Sequence, residues 1–455
     1  MQFGRELRRL ESFILDKISK YRMPGLSLGL LSNGDRWIRT FGYSNLETGS
    51  PVRGETLFGI GSITKSFTAL AILILAREGL LSPQDPVEDY IDTSLSIDSE
   101  PIRIHHLLTH TSGIPATGYA ESLLRGFFGA KEYWKPYSNP RDALLYLEKA
   151  VREGWYLGKP GQRFFYLNEG YVVLGLIVEA VSGEPYRSFV REKILRELGM
   201  NHTCFLGGCP DGLDMATPYA PGSPPRSVTI PSGIEADGGL LSNVVDMLKY
   251  VEALSTRSEP VMDSAEIMER AYVKVPWQVL GGESYGYGLL LIPGFDGKMI
   301  AGHGGSVLGY TAWMGYIPRE GIGVVVMSNT TGYPLMLIGL ASLSSIMNGD
   351  PYSPAPVRYL ELLEKLEGYY EGFEGSVKYR LRIVGSALLA EQVGGFAGQL
   401  ILVPDEIPEY DDLSRGSVRL WSPYLGGRMI AEFWWSGDRV EGMIDRYRLV
   451  KKGGL

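Results

Sequence analysis

Residues 58–80 read FGIGSITKSFTALAILILAREGL, the opening of a long helix that carries Ser62 and Lys65 three positions apart. Side chains at i and i+3 of a helix are neighbours, so Lys65 can take a hydrogen bond or a proton from the Ser62 oxygen. A helix N-terminus also carries partial positive charge, which disfavours a protonated Lys65 and favours an oxyanion forming at Ser62. Such a serine is a nucleophile activated for acyl transfer. A Ser-x-x-Lys string arises by chance about once or twice in a chain of this length, so other segments have to support the reading.

The chain of 455 residues exceeds the size at which one hydrophobic core keeps growing, so one large and one small domain are expected. With 44% hydrophobic and 21% charged residues and a mean hydropathy of −0.02, the composition is that of a globular protein and not of a disordered or fibrous one. A net charge of −8 and a sequence pI near 5.4 argue against an extended nucleic-acid surface, which needs clustered Lys and Arg. The opening residues MQFGRELRRLESFILDKISKY place Leu7, Leu10, Phe13, Ile14 and Ile18 at helical spacing between charges. They lack the uninterrupted apolar region of a secretory signal, and the longest apolar stretch, Ala69 to Ala76, is far shorter than a membrane span. A cytoplasmic protein with no membrane or nucleic-acid partner is the expectation. Cys204 and Cys209 either close one small local loop or stay reduced. His202 beside them would complete three zinc ligands, but no fourth is visible.

Ahead of the Ser62 segment, GLSLGLLSNGDRWIRTFGYSN (25–45) alternates around Asn33-Gly34 and predicts an antiparallel hairpin. After it, IRIHHLLTHTSGI (102–114) predicts a short helix ending in a polar turn, and 116–154 a helical, aromatic-rich segment. PGQRFFYLNEGYVVLGLIVEAVSGEPYRSFVREKIL (160–195) gives a turn, a short extended piece and a helix with Val172, Leu176 and Val181 on its buried side. A further helix is expected from near Ser242, and strands resume with YGYGLLLI, KMIAGHGGS, YTAWMGYIP and GIGVVVMSN. The proline-rich stretch NGDPYSPAP (348–356) marks a stiff boundary. Past it, 357–367 predicts a helix, and SVKYRLRIVG, where Val377, Tyr379, Leu381 and Ile383 alternate with polar residues, opens a run of short strands. Roughly eight such strands fit a small up-and-down barrel better than an open sheet with exposed edges.

Three strings together resemble the serine β-lactamase and penicillin-binding superfamily, and within it the group of class C β-lactamases, D-aminopeptidases, DD-carboxypeptidases, CubicO-type serine peptidases and related esterases. They are Ser62-Ile63-Thr64-Lys65, Tyr166-Leu167-Asn168 and His303-Gly304-Gly305. HHLLTHTSGI and DGGLLSNVVDMLKY match the family's pattern without supplying catalytic groups, and the resemblance covers about residues 5 to 345. It implies an α+β fold: an antiparallel sheet flanked by helices plus an all-helical subdomain over residues 1–350, followed by a lipocalin-like antiparallel barrel over 351–455.

The resemblance assigns Ser62 as nucleophile, Lys65 and Tyr166 as the groups that move protons, and His303 as the remaining catalytic side chain. Tyr166 is the favoured base, because a phenol beside cations can lose its proton more readily, although whether Lys65 or Tyr166 takes the first proton is open. Asn168 would bond Lys65 and the substrate amide and is expected to cap the following helix as well, while Gly304 and Gly305 let a substrate backbone approach the strand. The oxyanion hole would be the backbone N–H groups of Ser62 and Ser306. His303 stands where many relatives carry Lys, so recognition of a substrate carboxylate should be weaker or pH-dependent, which disfavours a β-lactamase. The implied activity is hydrolysis of small, D-residue-containing peptides by a homo-oligomer without cofactor or metal. The alternatives are an esterase or weak β-lactamase, or an inactive peptide-binding relative; retention of Ser62, Lys65, Tyr166 and His303 together argues against the last. His105, His106 and His110 read as structural. Phe127, Phe128, Tyr133, Trp134 and Tyr137 wall the pocket or pack in the core, and Trp421, Trp434 and Trp435 form either a contact patch or a barrel interior.

Overall fold

The computed structural model describes residues 4–118, 139–220, 226–227, 235–277, 279–307, 309–394, 399–406, 415–424 and 427–453. The aromatic group Phe127, Phe128, Tyr133, Trp134 and Tyr137 lies outside them. Two compact units divide the chain, Met1–Gly349 and Asp350–Leu455.

The first unit is built on a nine-stranded antiparallel sheet. Its strands are β1 (Gly25–Ser32), β2 (Asp35–Asn45), β3 (Ser50–Pro51), β4 (Val273–Lys274), β5 (Ser284–Tyr285), β6 (Leu290–Phe295), β7 (Lys298–Val307), β8 (Tyr310–Ile317) and β9 (Ile322–Ser328). They lie in the order β4-β5-β6-β7-β8-β9-β1-β2-β3. The hairpin is present: Ser32 faces Asp35 across a turn in which Asn33 and Gly34 have φ of 51° and 86°. Both central residues of such a two-residue turn need positive φ, which Asn and Gly tolerate best.

Helices cover both faces of this sheet. Helix α1 (Gly4–Tyr21) buries Leu10, Phe13 and Ile14, and α2 (Thr64–Arg77) is buried continuously from Thr64 to Leu75, an apolar helix with no solvent face. Next come α3 (Ile104–Leu108), α4 (Pro140–Arg152), α5 (Asn168–Ser182), α6 (Val244–Thr256) and α7 (Leu335–Asn348). Gly29, Val325 and Met314 align across β1, β9 and β8, and a Cβ on Gly29 would meet Leu248 of α6. Trp313 points to the other face, against Gly339 of α7.

One helix departs from the sequence reading. In α5, Val172, Val173, Leu174, Ile177 and Val178 are buried, whereas Leu176 and Val181 are only half-buried. The helix is apolar nearly all round, so its sequence shows no single stripe that identifies the inner side.

The second unit opens with α8 (Ala355–Leu366) and continues as a closed eight-stranded antiparallel barrel. Its strands are β10 (Gly368–Glu371), β11 (Lys378–Val384), β12 (Ala387–Gln392), β13 (Leu400–Pro404), β14 (Arg415–Tyr424), β15 (Gly427–Ser436), β16 (Arg439–Ile444) and β17 (Tyr447–Gly453). Each pairs with the next, and β10 pairs with β17 to close the ring, which leaves no open edge. Tyr379, Leu381, Leu388, Leu402, Leu420, Phe433 and Leu449 fill the interior together with Leu362, Leu363 and Leu366 of α8. Trp435 joins this core, as the barrel-interior reading has it, while Trp421 and Trp434 stay half-buried.

Candidate active site

Ser62 sits on a one-turn 3-10 helix, Gly61–Ile63, that runs directly into α2. The turn packs against β7 so closely that side chains are excluded. A Cβ on Gly305 would lie 1.8 Å from the Ile60 carbonyl oxygen and 3.0 Å from the Ser62 nitrogen. One on Gly61, whose φ is +49°, would lie 2.7 Å from the Ser306 nitrogen. Glycine at both positions is what allows the amides of Ser62 and Ser306 to come side by side.

Lys65, one turn along, has no exposed surface. Its Nζ donates to Ser62 Oγ at 3.0 Å, Asn168 Oδ1 at 2.8 Å and the Asp237 carbonyl oxygen at 2.7 Å. The three acceptors come from the turn ahead of α2, the start of α5 and the segment before residue 240, so the fold brings distant pieces of chain onto one amine. Asn168 begins α5, but its side-chain oxygen is taken by Lys65; the residue before the helix, Leu167, supplies no cap, and the expected capping role is not realised. Asp237 lies in the DGGLLS string, which the sequence reading credits with no catalytic group, yet its carbonyl is part of this cage.

Tyr166 is half-buried with its ring centroid 5.1 Å from Lys65 Nζ. Its loop is pinned by His110. Phe165 N–H donates to the His110 carbonyl at 2.8 Å, Leu167 N–H donates to His110 Nδ1 at 3.0 Å, and the His110 and Tyr166 rings lie 4.2 Å apart. With Nδ1 accepting, the proton of neutral His110 is on Nε2, which has no hydrogen-bond partner. Burial, aided by Lys65 and His303, holds His110 well below its ordinary pKa.

His303 is buried and both its nitrogens are engaged: Nδ1 donates to the Gly304 carbonyl at 2.5 Å, and Nε2 accepts from the Tyr285 hydroxyl at 2.9 Å. A carbonyl can only accept, which fixes this tautomer. Burial and the positive Lys65 push His303 down to about 4. The expectation of a partly cationic imidazole is therefore corrected: His303 is neutral across the physiological range, 6.3 Å from the Tyr166 ring.

The remaining histidines and the cysteines are otherwise occupied. His105 Nδ1 meets the Tyr287 hydroxyl at 2.8 Å, and His106 Nδ1 accepts from Arg103 N–H at 3.0 Å. Cys204 and Cys209 are joined in a disulfide, which removes the thiolates that a zinc site with His202 would need. No group of three or more His, Cys, Asp or Glu able to hold a metal occurs among the described residues. Nor is any helix among them long and apolar enough to cross a membrane.

His110, read as structural, does hold the Tyr166 loop and has a φ of 58°, unusual for a residue with a side chain. Sequence reasoning missed Tyr285 and Asp237, the latter inside a quoted family string. Tyr285 is one of 27 tyrosines and carries no local signal.

Comparison with known proteins finds chains of similar sequence and fold. The structure of the octameric penicillin-binding protein homologue from Pyrococcus abyssi superimposes with a TM-score of 0.89 at 40% identity, covering 98% of this chain and 100% of that one. Penicillin-binding protein 4* of Bacillus subtilis (strain 168) is 27% identical over 354 residues, 73% of this chain and 74% of its own length. Protein flp of Staphylococcus aureus (strain MW2) is 30% identical over 202 residues, 44% of this chain, and the chain spans only 38% of that relative's length. Residues 8–339 match the family described as Beta-lactamase. With that match covering most of the chain and the barrel shared with the archaeal homologue, the protein belongs to the Beta-lactamase family of serine hydrolases.

Proposed function

We propose that the chain is a serine peptidase that cleaves small peptides, D-residue-containing ones among them, through an acyl-enzyme on Ser62. The observation that carries this reading is the Lys65 cage: Ser62 Oγ, Asn168 Oδ1 and the Asp237 carbonyl, all within 3.0 Å of Nζ. Asn168 Oδ1 and the carbonyl can only accept, so a neutral amine gives its two hydrogens to them and turns its lone pair to the Ser62 hydroxyl. The ammonium form donates to all three oxygens. One cage thus suits both protonation states that a proton-carrying lysine passes through.

In the proposed cycle Ser62 Oγ attacks the substrate carbonyl while its proton passes to Lys65 or Tyr166. The oxyanion rests on the Ser62 and Ser306 amides, the leaving amine takes the proton, and water activated by the same groups hydrolyses the ester. Gly304, exposed on β7, offers the substrate backbone a strand to pair with. The neutral His303 favours substrates that present no carboxylate there, hence aminopeptidase or esterase action over carboxypeptidase or β-lactamase action. A binding-only relative would have no use for the buried lysine.

The test is intact-mass analysis after a fluorophosphonate, with Ser62→Ala as control, followed by D- and L-aminoacyl p-nitroanilides against p-nitrophenyl esters. One adduct at Ser62, faster cleavage of D-anilides and insensitivity to chelators are expected, with rates rising above neutral pH. Absence of an adduct rejects the hydrolase reading, and turnover of esters alone replaces peptidase by esterase. The octameric archaeal homologue further supports self-assembly of this chain, which light scattering on the purified protein would test.

A further inference from the structure

We propose that Trp277, backed by Phe164, forms an apolar subsite for the residue on the leaving side of the scissile bond and selects substrates with an aromatic or bulky apolar side chain there. The inference rests on the Ser62 hydrolase reading and deepens it.

Trp277 lies in the loop between β4 and β5 and is 42% exposed. The loop is tied down from inside. Glu283, with no exposed surface, accepts from Val279 N–H at 2.8 Å and Gly281 N–H at 3.2 Å, and Val275 N–H donates to the Glu283 carbonyl at 3.3 Å. A single exposed apolar side chain needs no explanation, but this one is carried on a loop held by a buried carboxylate, so its place is fixed before anything binds.

Its ring contact is with the site. The Trp277 and Phe164 rings meet edge to face with centroids 5.4 Å apart. Phe164, two positions ahead of Tyr166, is half-buried, and its ring lies 5.6 Å from that of Tyr285. Tyr285 in turn is 6.4 Å from the Tyr166 ring and 5.8 Å from the His303 ring, to which its hydroxyl is bonded. Rings thus run without a break from Tyr166 to the surface, each step in the edge-to-face geometry that aromatic pairs prefer.

The chemistry of the cycle says which part of a substrate meets them. The leaving amine takes its proton from Lys65 or Tyr166, whose Nζ and ring centroid lie 5.1 Å apart, so the leaving residue departs beside Tyr166. From there the rings of Tyr285, Phe164 and Trp277 continue outward, and His110 and His303, which flank Tyr166, are held neutral. The Glu283 carboxylate is turned to its own loop, so the side chains from Tyr285 to Trp277 offer a substrate apolar faces and no charge. Such a surface gains from an aromatic or large aliphatic side chain and gains nothing from a glycine.

The experiment compares D-alanyl-phenylalaninamide with D-alanyl-glycinamide, which share an acyl group, by chromatography of the D-alanine released by the full chain. Wild type should favour the phenylalanyl amide in kcat/KM by about tenfold. Trp277→Ala should remove most of that preference, chiefly through KM, Phe164→Leu should reduce it, and Trp277→Phe should keep much of it. No preference in wild type, or equal losses on both amides in Trp277→Ala, which a merely structural role gives, overturns the proposal. So does a loss that falls instead between D-phenylalanyl-glycinamide and D-alanyl-glycinamide, which differ on the acyl side. If esters alone are turned over, D-alanine benzyl and methyl esters replace the amides with the same expectation. Wild type that takes the fluorophosphonate at Ser62 yet cleaves none of these overturns this proposal alone, whereas wild type that takes no fluorophosphonate removes the hydrolase reading beneath it.

Discussion

Around Lys65 the chain buries an aspartate with an unpartnered oxygen and a histidine with an unpartnered nitrogen close to one amine, whereas the barrel interior is chiefly Leu, Tyr, Phe and Trp side chains, with Trp435 Nε1 unpartnered among them. Where the barrel does cover a carboxylate, at Glu441, Arg439 and Arg448 bridge it at 2.6 and 2.7 Å. One region spends packing on stability and the other holds polar groups under electrostatic tension. That contrast separates chemistry from scaffold, because titratable side chains are gathered in the interior where a proton has to move and apolar ones where only packing is needed.

The largest effect that can break the contrast is at the nucleophile. Ser62→Ala should lower turnover by about 10⁴ or more while urea denaturation midpoints stay near wild type. A comparable loss of stability would mean that Ser62 belongs to the scaffold. In the barrel the reverse is expected: Phe433→Ala, at a site with no exposure, should cost about 3–5 kcal/mol in denaturant titrations of the barrel and leave Ser62 labelling at wild-type rate.

A smaller effect is the pH dependence of stability. His303 is held at about 4 in the fold against an ordinary value of 6.5, so the unfolded chain binds the proton more readily between those limits. The stabilisation from the neutral ring is complete above 6.5 and is lost as pH falls toward 4, with His106 and His110 acting in the same direction. Asp237, raised from 3.8 to about 6, has the opposite sign: its stabilising neutral form is lost as pH rises through that window. The denaturation midpoint should therefore climb from pH 4 to 6.5, and more steeply in Asp237→Asn. A flat profile in both would show that the rings are charged in the fold. Smallest of all, reducing the Cys204–Cys209 bridge, which closes a loop of sequence separation 5, should cost about 2 kcal/mol.

How much of this was legible in the sequence follows the same division. The hairpin at Asn33-Gly34 and the alternating barrel strands are local patterns, readable because turn chemistry and a period of two act within a few residues. Ser62, Lys65, Tyr166, Asn168 and the glycines of β7 were legible as short strings, and the fold gathers them around one amine. Less legible were properties that depend on what packs nearby. The charge of His303 is fixed by its burial and by Lys65, and its outer nitrogen is held by Tyr285, eighteen residues away in the sequence. Likewise the inner side of α5 is set by contacts on all sides, and the role of His110 by a loop more than fifty residues downstream.

The most direct test of the central claim, that the Lys65 cage makes Ser62 a covalent carrier, is a crystal structure of the protein trapped with a slowly hydrolysed acyl group. The account predicts density continuous with Ser62 Oγ, the acyl oxygen between the Ser62 and Ser306 amides, and Lys65 still bonded to Asn168 and the Asp237 carbonyl. An acyl group attached to any other residue, or an acyl oxygen turned away from both amides, would contradict it.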